Sequence, residues 1–194
     1  MKRAFILCWA LGLGLAVQAQ TKWSFDKAHS KISFNVEHLV ISEVSGQFGA
    51  FDGMVSSSSE DFAGSNIEFT IDVSSIDTDN ERRDGHLKSD DFFNAEKYPK
   101  ITFKGKSLEK VEGKMYKLKG DLTIRDVTKE VVLDVKYGGT VTDPRGNVKA
   151  GFKITGSVNR FDYNLKWNAA MESGGLVVGE NVEIVGNIEL KKES

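Results

Sequence analysis

The sequence predicts an all-β protein whose strands close into one small antiparallel barrel of eight strands. Three observations predict it. Segment after segment alternates with period two, which places successive side chains on opposite faces of a strand. Each segment carries an apolar face and a face of Lys, Glu, Asp, Thr, Ser or Asn. Turn-forming residues separate the segments. Parallel strands buried on both faces would read as continuous apolar runs, so the pattern is that of antiparallel sheet with one face in water. Eight strands suit a small closed barrel, and closure removes exposed sheet edges.

The chain opens with a processing signal. Lys2 and Arg3 precede an uncharged run from Ala4 to Val17, and Val17-Gln18-Ala19 places small residues where a signal peptidase cuts, after Ala19. The run is too short for a membrane span of about 20 apolar residues. Cys8 lies too early in the run for a lipoprotein site, and it is the sole cysteine. Cleavage takes 19 of 194 residues, leaves a 175-residue domain over 20–194 without a thiol, and moves the formal net charge from −2 to −4. Disulfides and cysteine metal sites are thereby excluded. The acidic balance argues against nucleic acid, and no second long apolar run suggests stable insertion of the processed chain in a membrane.

The alternating sets follow in order. Ile32, Phe34 and Val36 form the first, and Val44–Val55 the next. Ile67, Phe69, Ile71 and Val73 follow, then Ile101 and Phe103, then Tyr116, Leu118, Leu122 and Ile124. Val131, Leu133, Val135 and Tyr137 precede Phe152, Ile154 and Val158, and Val182, Ile184, Ile188 and Leu190 close the chain. Turns are expected at 56–61, 109–114, 125–128, Gly138-Gly139, 143–147 and in a longer loop over 164–179. Two stretches break the alternation. Glu37–Val44 reads as a single helical turn. Thr78–Tyr98 is charged and carries Phe92-Phe93; Asp79 or Asn80 would cap a short helix through Leu87, within a helical segment near 79–96. Phe92 and Phe93 would either cover one barrel end or pack the helix on the barrel.

Motifs for catalysis are missing. No serine sits in a GxSxG elbow and no glycine-rich phosphate loop precedes a helix. His29, His38 and His86 each have an acid nearby, Asp26, Glu37 and Asp84, but their spacings match no zinc motif. Hydrogen-bonded structural roles fit them, and no metal or cofactor is expected. Lys104, Lys106, Lys110, Lys114, Lys117 and Lys119 read as a solvated face.

Several ordered blocks carry a resemblance. They are Trp23–Ser30 running into Ile32-Ser33-Phe34 and Glu37-His38-Leu39; Val44–Phe48; Ser75–Thr78; Arg83-Asp84-Gly85-His86-Leu87-Lys88-Ser89-Asp90-Asp91-Phe92-Phe93; Tyr98–Phe103; Gly120–Arg125 with Val127-Thr128-Lys129; Asn159-Arg160; and Val178-Gly179-Glu180. With these the chain resembles the YceI-like family of lipid-binding proteins over nearly all of its processed length. It departs at Asp126, where glycine is common, and at Glu130, where proline is frequent; both bear on one hairpin turn. The resemblance implies a lipocalin-like barrel around a long apolar cavity, a polyisoprenoid or isoprenoid-quinone-like ligand, and export to the periplasm.

An eight-stranded barrel can be filled by side chains or hold one ligand, and composition does not decide between them. If it is hollow, the inward set Phe34, Val36, Phe48, Phe69, Ile71, Phe103, Leu122, Ile124, Leu133, Val135, Phe152 and Ile154 would contact a lipid tail. Arg83, Asp84 and His86 would anchor the irregular segment; alternatively Arg83 and His86 would meet a polar head group, a role to which arginine is suited. Two other readings stay open at this stage: a metal- or histidine-dependent hydrolase, and a stress-related interaction module with a filled barrel. The oligomeric state, a homodimer included, is also open.

Overall fold

The computed structural model describes residues 20–170, 174 and 176–193. The expected processing signal, residues 1–19, and the end of the chain at Ser194 lie outside them.

Among the described residues there are eleven strand segments: β1 (Thr21–Phe25), β2 (Lys31–His38), β3 (Ser42–Phe48), β4 (Phe51–Ser57), β5 (Asn66–Asp72), β6 (Ile76–Asp77), β7 (Lys100–Glu112), β8 (Met115–Ile124), β9 (Val127–Thr142), β10 (Val148–Asn159) and β11 (Val178–Lys192), with one α-helix, α1 (Glu81–Lys88). They make eight antiparallel staves, because three staves are interrupted. β11 pairs with β1 near its end (Phe25 opposite Leu190) and with β2 in its middle (Phe34 opposite Ile184). β1 then pairs with β4 while β2 pairs with β3, and β4 pairs with β5 while β3 pairs with β6. The rest is a meander from β5 through β7, β8, β9 and β10 back to β11. The ring is closed, as the alternation predicts. β1 was not among the predicted strands, since it offers only Trp23 and Phe25 as alternating apolar residues.

Two sequence expectations are corrected. Glu37–Val44 is not a helical turn. β2 and β3 pair to their ends, with His38 opposite Ser42, which leaves three residues to reverse the chain. Leu39 and Val40 do so in the left-handed region, at φ 54° and 63°. Gly138-Gly139 is not a turn either: β9 runs through both to Thr142. The strand bends there, Gly139 taking φ 125°, opposite a register shift at Gly151/Phe152.

The helix starts where Asn80 caps it, its side-chain oxygen accepting from the Arg83 amide at 3.0 Å. Glu81 and Asp84 in the first turn and His86 and Lys88 in the last suit the helix dipole. None of its residues is fully buried, so its position comes from side-chain anchors. Asp84 accepts from the Thr78 amide (2.9 Å) and hydroxyl (2.6 Å), and the Arg83 guanidinium donates to Thr78 Oγ1 and O. Beyond it, Arg125 in the β8–β9 turn donates to the carbonyls of Asp90, Phe92 and Asn164. Asp126 accepts from Tyr98 and Asn164, so the atypical aspartate ties the turn to the segments around it.

One end of the barrel is solid. Phe62, 1% exposed, comes from the β4–β5 loop and packs on Trp23 (4.9 Å between centroids), Phe152 (5.0 Å) and Tyr137 (5.6 Å). Tyr137 stacks on Phe152 at 5.2 Å. Phe62 meets Phe152 edge to face, and none of these four rings lines the hollow above them.

Candidate functional site

Above this aromatic plug the barrel is hollow. An internal cavity of about 210 Å³ is walled almost entirely by carbon. Its lining runs along β11 from Ile188 to Val178. Ten residues at ~3.3 Å each, on a stave tilted by about 40°, span roughly 25 Å along the barrel axis. A second chamber of about 200 Å³ continues it, and the two share Phe34, Val36, Leu87, Phe92 and Val178. Glu37, His38, Val44, Arg83, His86, Trp167 and Val177 complete this chamber and make it the mouth.

Ten of the twelve inward residues stand on the cavity wall: Phe34, Val36, Phe48, Phe69, Ile71, Phe103, Leu122, Ile124, Leu133 and Ile154. Two do not. Val135 is buried in the core, and Phe152 belongs to the aromatic plug. Alternation assigns a side chain to a face but not to a height along the barrel, and height separates plug from cavity. The same alternating sets hold further wall residues, Ile32, Ile67, Ile101, Leu118, Val182, Ile184 and Ile188. Leu87, Phe93 and Leu165 lie on irregular segments that carry no period-two signal.

Phe92 and Phe93 do both things considered for them. Phe93 packs edge-on against Phe48 at 6.2 Å, Phe92 lies 5.4 Å from Trp167, and both line the cavity. They form the roof between the two chambers.

Polar groups gather at the mouth. His86 Nε2 lies 2.9 Å from Asp91 Oδ2, and its ring meets Phe92 and Trp167 edge to face at 5.0 and 5.1 Å. Arg83 spends Nε and Nη2 on Thr78, and among the described residues its Nη1 group has no hydrogen-bond acceptor. Arg160, which the sequence did not single out as a wall residue, also borders the cavity and is 3% exposed. Its guanidinium donates to the carbonyls of Gly179 (2.8 Å), Leu165 (2.6 Å), Trp167 (2.8 Å) and Val178 (3.0 Å). Arginine suits this site because its planar fork reaches several acceptors at once. It clamps the loop after β10 to the start of β11 and so holds one side of the mouth.

The histidines do not converge. His38 and His86 are at the mouth, whereas His29 sits with Asp26 and Glu189. Those three could chelate a cation by distance, yet the Lys149 ammonium already bridges the two carboxylates at 2.8 and 2.6 Å. That hydrogen bond, with a second from His29, holds the Asp26 carboxyl well below the usual range.

The YceI-like domain matches residues 23–190. The chain belongs to the YceI-like domain family. It is 40% identical over 170 residues to the UPF0312 protein SA2479 of Staphylococcus aureus (strain N315), covering 87% of this chain and 96% of that protein. Among solved structures it resembles Burkholderia cenocepacia BcnA, with a TM-score of 0.74 at 22% identity over 85% of this chain and 98% of that one. It also resembles a polyisoprenoid binding domain from Saccharophagus degradans, with a TM-score of 0.68 at 17% identity over 88% and 98%. At those identities the two structures speak to the fold. Within this YceI-like barrel, no helix among the described residues is long and apolar enough to cross a membrane.

Proposed function

We propose that this YceI-like chain is an exported, non-catalytic binding protein that holds one long-chain lipid, of polyisoprenoid or similar type, in its barrel. One observation carries the reading: a narrow hollow, closed at one end by aromatic rings and continuous with a polar-rimmed mouth, has walls of almost nothing but carbon. Such a site rewards a flexible apolar chain. Each methylene buried is worth about 0.8 kcal/mol, so a tail of several prenyl units offsets the cost of immobilising it without metal or covalent bond. The wall residues named above would touch the tail, and Arg83 and His86 at the rim would meet the polar end. The polyisoprenoid binding of the Saccharophagus domain supports the choice of ligand. The residues before Gln20 have the make-up of a cleavable signal, which supports residence in the periplasm and a role in carriage or sequestration.

The test is organic extraction of protein purified from its native host, followed by mass spectrometry. The expected result is a long isoprenoid near one per chain, lost from an Ile154→Trp variant that fills the hollow. An empty extract from folded native protein overturns the reading.

A further inference from the structure

The β2–β3 hairpin ends in Leu39-Val40-Ile41, residues that are 36%, 55% and 85% exposed. Among the described residues this is the only run of consecutive exposed large apolar side chains; Met54, Val111, Met115, Val132 and Val141 stand singly. The turn is also strained. Leu39 and Val40 hold φ 54° and 63°, a region that glycine or asparagine enters readily and a β-branched valine does not. Neither folding nor solubility asks for three large apolar residues there.

Its position suggests what it serves. Glu37 and His38 just before the tip and Val44 just after it line the mouth of the cavity. The Leu39 amide donates to the Val177 carbonyl at 3.0 Å, tying the tip to the segment that leads into the neighbouring strand β11. The strand leading to the tip carries Phe34 and Val36, which line both chambers, so the tip stands three residues beyond the cavity wall on the same strand.

We propose that this tip is a membrane-docking wedge that sets the cavity mouth against a lipid bilayer. Three side chains fall far short of the roughly 800 Å² per partner that a stable protein interface buries, whereas a bilayer surface accepts a small wedge reversibly. Glu37 and Glu43 stand directly opposite one another one pair below the turn. Their charge disfavours an anionic surface, so the wedge suits neutral head groups. The choice of a bilayer rests on the ligand being a membrane lipid; the presence of the wedge does not.

The experiment is flotation with vesicles of pure phosphatidylcholine, using protein without residues 1–19, which keeps every strand of the closed barrel. A Val40→Asn/Ile41→Ser variant is compared with wild type; asparagine tolerates the left-handed turn, so the hairpin is retained. Wild type is expected to float, and the variant to lose about tenfold or more in partition as two wedge residues turn polar. The lipid extract of the variant distinguishes the two ideas. Cargo retained with flotation lost supports the wedge; an empty wild-type extract removes the carrier function, while flotation still decides the wedge. Equal flotation of both proteins overturns the proposal. So does a wild-type dimer in light scattering, without vesicles, that the variant abolishes, since a second copy would then be the occupant.

Discussion

Gly46 lies directly opposite Phe34, and the Phe34 ring occupies the space that a side chain at Gly46 would need. The two are register partners in β2 and β3, and a Cβ built on Gly46 would overlap the ring as well as approach Thr78 Cγ2 at 2.8 Å. Phe103 likewise fills the side-chain space at Gly120, its diagonal neighbour on β8, and Leu133 that at Gly156. Large side chains lie flat against the wall over glycines, and the hollow remains open.

Gly46→Ala is therefore expected to push Phe34 into the cavity. Thr78 cannot yield easily, since Asp84 and Arg83 hold its hydroxyl. Overpacking of this kind costs about 1–3 kcal/mol. Thermal unfolding should show the loss, and titration with a fluorescent long-chain lipid should show weaker binding. Unchanged affinity with a lowered melting temperature would mean that the ring is displaced away from the guest.

Arg160→Met would leave four carbonyls without their donor in a buried site. Hydrogen bonds to a charged group are worth about 1.5–3 kcal/mol each and do not add in full, so a loss of about 3 kcal/mol or more is expected in urea unfolding. Arg160→Lys should recover little of it, because an ammonium lacks the planar fork. A nearly neutral Met variant would refute the clamp.

Tyr163 is buried and its hydroxyl has no partner among the described residues. Burial pushes its phenol up to about 12. Removing an unsatisfied buried hydroxyl costs nothing in hydrogen bonding, so Tyr163→Phe is expected to be neutral or to stabilise by up to about 1 kcal/mol. A clear destabilisation in calorimetry would show that the hydroxyl is satisfied.

The Asp26–Lys149–Glu189 cluster makes stability depend on pH. Lys149 beside it, and then His29, lower the Asp26 carboxyl below its ordinary 3.8. A depressed folded-state value means stability that is fully present above 3.8 and is lost as pH falls through the lower value. Asp26→Asn should thus be less stable than wild type at neutral pH, and the two should converge in acid. At the other extreme, hydrogen bonds from Lys149 to Asp26 and Glu189 raise the lysine above its ordinary 10.5. Its contribution holds below that value and fades as pH climbs through the raised one. Denaturation curves across pH test both limbs; a constant gap between variant and wild type in acid would contradict the first.

Period two was enough to identify the β class, the closed ring of eight and ten of the cavity-wall residues, because alternation about a closed sheet leaves an apolar face nowhere to go but inward. The helix was legible too, since Asn80 is a cap that chemistry recognises. Elsewhere local pattern failed for identifiable reasons. Glu37–Val44 breaks the alternation just as a helix would, and only the pairing of His38 with Ser42 shows that three residues turn the chain. Gly138-Gly139 looks like a turn until β10 is laid beside it.

What the sequence determined alone was which residues share a face, because that depends on neighbours along the chain. Whether the barrel is hollow was decided by tertiary structure. Phe62 and Phe152 plug one end while Phe34 and Phe103 lie flat over glycines elsewhere, and the difference between filled and open rests on heights and ring orientations that contacts across the barrel alone impose.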